Sequence, residues 1–363
     1  MNLSQLNKKL ITIIGIVLVI VAVALVTIAI VTKNHNLEFS VIEQKLKSGA
    51  QKYYKDNPEL LPNINGSKAA VGVTTLEDGK YIPMMSIMVK GDTICNGEVR
   101  VSNNGGYYLY IPYLNCGNEY VTNELYKHIV EPGNVVTKDN GLYEMNGEYV
   151  FRGNHLNNYL SFDNKVWVIM KVDKDKNIVV TEYETKTKNI WDNRYNETRE
   201  QTSGINDYSK SKMEYFLNEM FNGEQYLSES AKGLIVYKPL CIGKRSEKET
   251  NKTDSVECSV VTEPQPLGLI KVSDFMNASL DSNCKETTSR SCQNYNYLAD
   301  FNTNWWTMTP HTESTHRAYK VSGKTITPST LNVDSKVRPV LHLSENIVYN
   351  GGTGTFEDPY IVK

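Results

Sequence analysis

Leu10 to Val31 is an unbroken run without a single charged residue, and no other stretch limits so strongly what this chain can become. At about 1.5 Å of helical rise per residue it reaches roughly 33 Å, enough to cross the hydrocarbon core of a bilayer. Lys8 and Lys9 precede the run and Lys33 follows it. The excess of positive charge on the amino-terminal side predicts a cytoplasmic tail at residues 1–9, a single transmembrane helix at 10–32, and residues 34–363 outside the cell. A cleaved signal peptide is the rival reading, because Ala22-Val23-Ala24 has the form of a cleavage site. The apolar run continues past that site to Val31, beyond the length of an ordinary signal core, which favours a retained anchor.

Cysteine placement agrees with that orientation. Cys95, Cys116, Cys241, Cys258, Cys284 and Cys292 all follow the anchor. An even number on the oxidising side of a membrane favours disulfides, although sequence leaves every connectivity open. Consecutive pairing (95–116, 241–258, 284–292) is expected, since each pair brackets a short strand-and-turn segment. Zinc would call for a C-x2-C spacing, which is absent, so no metal and no cofactor is anticipated. With 39 basic and 41 acidic residues, net charge −2, the chain offers no electrostatic support for a nucleic-acid partner.

Beyond the anchor, Phe39, Ile42, Leu46, Ala50 and Tyr53 recur at spacings of three and four, an apolar stripe that predicts a helix ending before Asn57-Pro58. "GEVRVSNNGGYYLYIPYL" places Asn103-Asn104-Gly105-Gly106 between two alternating runs and predicts a hairpin, with Cys95 and Cys116 just outside its arms. Residues 127–146, with Pro132-Gly133 and Asn140-Gly141 and little periodicity, read as a linker. A second, β-rich domain is expected over 147–363, the first spanning 33–126. Within it Ser211 caps a helix carrying Met213, Phe216, Leu217 and Met220, and Ser273 is the expected cap of a short helix at "VSDFMNAS".

Motifs that suggest chemistry are mostly incomplete. "VDKDKNIVVTEYE" has calcium-loop spacing, but Ile178 stands where the sharp turn needs Gly, so a hairpin tip is expected. "SGKT" at 322–325 lacks the earlier Gly of a phosphate loop and reads as a β-turn. His311, Glu313 and His316 form H-x-E-x-x-H beside Pro310, the wrong spacing for zinc on one helix face, and are expected in an exposed loop. No G-x-S-x-G elbow occurs. "NWWTMTP" stands apart. As a strand it sends Trp305 and Trp306 to opposite faces, with Trp306 the expected core residue and Trp305 the exposed ring, flanked by Tyr319 and Arg338 as candidate ligand contacts.

Two resemblances follow from these segments. The N-terminal helix, its amphipathic continuation and the sheet segment "AQKYYKDNPELLP … CNGEVRV … YLNCGNEYVT" resemble a type IV pilin or pseudopilin over about residues 10–125. The departure is at "NKKLITIIGIVLVIV", which has neither the Phe nor the Glu of a prepilin peptidase site. The later segments "YVFRGNHLNNYLSFDNKVWVIMKV", "GLIKVSDFMNAS", "NWWTMTP", "VRPVLHL" and "GTGTFEDPYIVK" resemble an uncharacterised domain of Gram-positive bacterial surface proteins. That pattern is in turn similar to C-type-lectin-like and sulfatase-modifying-factor-like folds. The enzymes of the latter group use paired cysteines in the C-terminal core, and none follows Cys292 here, so the resemblance implies a binding module. The expected fold class is α+β, a pilin-like stalk and small antiparallel sheet followed by a β-rich, lectin-like domain. The expected function is a non-enzymatic surface protein, held in the membrane through residues 10–32, that recognises a glycan or protein. The alternatives are a minor pilin or pseudopilin component of a filament or secretion system, and an enzyme acting on cell-wall or glycan substrates.

Overall fold

A computed structural model describes residues 37–363 apart from Asp92, Asn302 and Lys363. The expected cytoplasmic tail and membrane helix, residues 1–9 and 10–32, lie outside the described residues. Among the described residues no helix is long and apolar enough to cross a membrane. The fold is mixed α+β and mostly sheet. Among the described residues two compact units emerge: one of residues 37–63 with Ser67–Ser102 and Tyr110–Thr122, the other of Ile64–Gly66, Asn103–Leu109 and the chain from Asn123 onward.

In the first unit the stripe forms the helix Phe39–Asp56, ended by Asn57 ahead of the proline. Ile42, Leu46, Ala50 and Tyr54 are its buried apolar side chains, so the stripe closes on Tyr54 while Tyr53 stays half-exposed. Gly49 lies on the same face because the chain passes very close: a Cβ there would sit 2.4 Å from Ile82 Cγ2 and 3.1 Å from the Tyr81 carbonyl. The helix shares one core with Val71, Val99, Val101 and Leu114 of a three-stranded sheet, β1 (Lys68–Gly72), β2 (Asn96–Asn104) and β3 (Tyr107–Asn115). Gly105 and Gly106 turn between β2 and β3 at φ 62° and 93°, backbone that L side chains rarely adopt, and this is why the Gly pair forms the hairpin. Cys95–Cys116 closes the ends of its arms.

The second unit begins well before residue 147. Residues 127–146 are not a linker: Leu125–Ile129 is helical, and Gly141–Met145 is a strand, β4, paired along its length with β5 (Glu148–Arg152). Ile129 and Leu142 are buried in the main core, and that burial outweighs the turn-forming composition around them. The chain continues through β6 (Tyr159–Phe162), β7 (Lys165–Val172), β8 (Ile178–Glu182), β9 (Lys188–Asn189), β10 (Lys238–Cys241), β11 (Val261–Gln265) and β12 (Gly268–Leu269). It ends with β13 (Trp305–Pro310), β14 (Arg317–Ser322), β15 (Thr325–Thr330), β16 (Ser335–Lys336), β17 (Pro339–Leu343) and β18 (Tyr360–Ile361). An eight-stranded sheet runs β12-β17-β8-β7-β5-β4, with β6 also on β7 and β18 on β6; a five-stranded sheet runs β15-β14-β13-β16-β9.

The near-calcium loop is the turn of the β7–β8 hairpin, where Asp173 Oδ1 accepts the Asp175 and Asn177 amides at 2.9 and 2.8 Å. "SGKT" is the β14–β15 turn, with Gly323 and Lys324 at positive φ. Ser211 caps the helix Lys212–Asn222 by accepting the Glu214 amide at 3.0 Å, and Met213, Leu217 and Phe221 face inward. The second helix, Val272–Ala278, departs from expectation. Lys271 occupies the cap position and Ser273 sits inside the first turn; Asp274 Oδ2 accepts the Lys271 amide at 3.0 Å. The cysteines pair consecutively, Cys241–Cys258 and Cys284–Cys292 completing the set.

Candidate functional site

The residues expected to meet a ligand are inside the protein. Trp305 is fully buried, packed on Phe275 and Phe301 with ring centroids 6.3 Å away. Tyr319 is fully buried and donates its hydroxyl to the Arg245 carbonyl at 3.1 Å. Arg338 is buried as well: its guanidinium lies 3.9 Å over the Phe301 ring, and Nη1 donates to the Glu182 and Tyr183 carbonyls at 2.8 and 2.5 Å. Burial lowers the Arg338 pKa to about 10.

The alternation along β13 was sound, since Trp306 and Met308 join one core and Trp305 the other. What fails is the assumption that one face meets water. Thr307 and Thr309, on the same strand, are buried with their hydroxyls satisfied, donating to the Tyr319 carbonyl at 2.7 Å and to Glu257 Oε1 at 3.3 Å. His311 is likewise buried rather than looped out, with Nε2 3.2 Å from Glu247 Oε1, while His316 contacts Arg199. Among the described residues no group of His, Cys, Asp and Glu could hold a metal ion.

Chemistry converges elsewhere, where β5, β7, β10 and β17 meet the start of the helix Val272–Ala278. Two adjoining cavities of about 200 and 150 Å³ open there, and Glu148, Lys171, Asp254 and Asp274 line both. A bulge puts Lys171 in place. The β7–β8 register pairs Ile169 with Val180 and Lys171 with Val179, so Met170 is the extra residue. The inserted residue reverses the alternation: Val172, not Lys171, continues the core face of Trp167 and Ile169, and the lysine turns to the opposite side. His342 reaches the same side because Leu341 and Leu343 on either side of it enter the main core.

These groups neutralise one another. Lys171 Nζ lies 2.9 and 3.1 Å from the Glu148 carboxylate. Lys271 Nζ lies 3.7 Å from both Asp254 and Asp274. Lys238 Nζ is 3.7 Å from Asp173 and 2.5 Å from Asp175, and Asp173 Oδ2 faces His342 Nδ1 at 3.4 Å.

Proton affinities follow from these contacts. Burial opposes the Lys171 ammonium, yet Asp274 and Glu148 outweigh it and raise its pKa. Burial also opposes the Asp274 carboxylate, and Lys271 and Lys171 overcome it and lower its pKa. Asp173 is held down at about 2 despite its burial, by His342 and Lys238. Burial keeps His342 below its ordinary value, against the pull of Asp173. Lys171, Lys174, Lys238 and Lys271 therefore stand against Glu148, Asp173, Asp254 and Asp274 in a cleft of zero net charge with His342 neutral.

Of these residues only Asp173 carries a motif signal in the sequence, at the head of the near-calcium loop, and that segment reads as a hairpin tip. The available signal is a polar residue inside a strand of otherwise buried apolar ones: Lys171 in "WVIMKV" and His342 in "PVLHL". A larger cavity of about 480 Å³ lies beside His128, which stacks on Tyr349 at 4.0 Å and faces Glu131 at 3.1 Å. It gathers far fewer ionised groups. Comparison of the chain with protein-family models, with curated proteins and with solved structures returns no match.

Proposed function

We propose that this chain is a cell-surface binding protein whose β-rich unit takes a neutral, polyhydroxylated ligand, a glycan, in the charge-balanced cleft. Residues 10–32 serve as its membrane anchor, the helix Phe39–Asp56 with its small sheet serves as a pilin-like stalk, and the β-rich unit serves as a lectin-like module. One observation carries the reading: every lysine of the cleft but Lys174 already faces a carboxylate within 3.7 Å. An anion would find no uncommitted buried ammonium, and a cation no uncommitted buried carboxylate. Hydroxyl groups, by contrast, donate to carboxylates and accept from ammonium groups without disturbing the balance, and such hydrogen bonds to charged partners are the strong ones. Cavities of about 200 and 150 Å³ suit sugar units rather than a protein surface.

The test is calorimetric titration of the full chain in nanodiscs with neutral oligosaccharides. Binding is expected, and Lys171→Met is expected to weaken it at least tenfold with the circular dichroism spectrum preserved. Charged ligands binding while neutral sugars do not would overturn the reading.

A further inference from the structure

We infer that the cleft is built for an acetamido sugar, with the N-acetyl group seated in the lobe beside Tyr297. This rests on the glycan reading above and narrows it. The roughly 200 Å³ lobe is lined by Met145, Val150 and Met170 on its apolar side, and it differs from its neighbour in the neutral polar groups of Asn277 and Tyr297.

The hydrogen-bonding state of those two residues defines the missing partner. The Tyr297 ring packs against both cores, yet its hydroxyl has no hydrogen-bond partner among the described residues. Burial, with Asp274 nearby, pushes its pKa far up, so it is a donor at every physiological pH. Asn277 donates Nδ2 to the Lys252 carbonyl at 2.8 Å, which leaves its side-chain oxygen as an acceptor without a partner among the described residues. One donor and one acceptor beside an apolar patch match an acetamido group: its carbonyl accepts from Tyr297, its N–H donates to Asn277, and its methyl lies on the two methionines and the valine.

Competing substituents fit less well. A carboxylate would approach Asp254 and Asp274, with Lys171 already held by Glu148. A free amine would put a charge on the apolar patch, and a plain hydroxyl would leave the patch empty and one of the two polar groups unpaired. A site built to hydrogen-bond a substituent discriminates strongly against ligands that lack it, because its own groups are then left unpaired.

The experiment uses the full chain in nanodiscs. It compares N-acetylglucosamine and N-acetylgalactosamine oligosaccharides with their glucose and galactose counterparts and with the de-N-acetylated amines. The acetylated forms are expected to bind at least tenfold more tightly than either comparison set. Tyr297→Phe keeps the ring and its packing, and it is expected to abolish most of that preference by weakening the acetylated forms more than the plain hexose oligomers. Equal binding of acetylated and plain sugars, or a preference that survives Tyr297→Phe, would overturn the inference and leave the glycan reading standing. Failure of every sugar to bind would overturn both.

Discussion

The fully buried ion pair between Arg245 and Glu257 gives the sharpest test of how the second unit is held together. Neither side chain has measurable exposure. Arg245 Nη1 meets Glu257 Oε2 at 2.8 Å, Nε donates to Thr287 Oγ1 at 2.9 Å, and Nη2 donates to the Asn251 carbonyl. Glu257 Oε1 accepts the Ser273 amide at 3.0 Å and the Thr309 hydroxyl at 3.3 Å. The pair thus ties the Cys241–Cys258 region to the helix Val272–Ala278 and to β13. Burial raises the Glu257 pKa, and Arg245 is the main force pulling it back.

Arg245→Met removes that force and strands a carboxylate in the core, at a cost of about 3–5 kcal/mol. For a domain of this size each kcal/mol lowers the melting temperature by about 2–4 °C, so a drop of roughly 10 °C is expected in thermal unfolding followed by circular dichroism at pH 7.5. Protonation supplies the control. With its folded pKa raised further, Glu257 in the variant is neutralised more readily in the folded than in the unfolded state. The penalty is therefore smaller at pH 5 and grows as pH rises, by up to about 1.4 kcal/mol per unit. Arg245→Met with Glu257→Gln should recover part of the loss. A penalty under about 1 kcal/mol, or one identical at pH 5 and 7.5, would refute the reasoning.

Trp305→Ala should cost about 3–5 kcal/mol in urea unfolding, as a core deletion does, and a near-neutral result would restore the surface reading. Peptide mapping without reductant should recover the consecutive cysteine pairs, and replacing Cys241 and Cys258 together by Ala should cost about 2–4 kcal/mol. Acid should weaken the fold through Asp173. Its folded pKa near 2 lies below the ordinary 3.8, so its contribution is full above 3.8 and lost as pH falls toward 2, about 2 kcal/mol in all. His342, also lowered, adds a loss that begins as pH falls below 6.5. Asp173→Asn should flatten the urea midpoint between pH 5 and 2; an unchanged slope would remove Asp173 from the acid response.

Local physics made much of the fold legible in the sequence. The Phe39–Asp56 helix, the Gly105-Gly106 hairpin, the Ser211 cap and the consecutive disulfides all depend on residues near one another in the chain. The site was not legible, because it depends on partners far apart. Lys171 reads as one charge among many until the Met170 bulge turns it toward Glu148 and Asp274. Trp305 reads as exposed because alternation identifies opposite faces but not what covers each, and β13 is covered on both. The expected linker failed for a related reason: Leu142 is buried by strands that come later in the chain.

The double burial of β13 has a consequence for how the chain is made. Trp306 completes the core that holds Trp167 and Trp191, and Trp305 completes the one that holds Val168 and Phe275. Neither core can close while the strand between them is missing, and that strand begins only at residue 305 of 363. A nascent chain therefore carries two unfinished apolar surfaces through most of its synthesis, the condition under which non-local β topologies fold slowly and aggregate. Such a unit folds as a whole only after its C-terminal strands arrive.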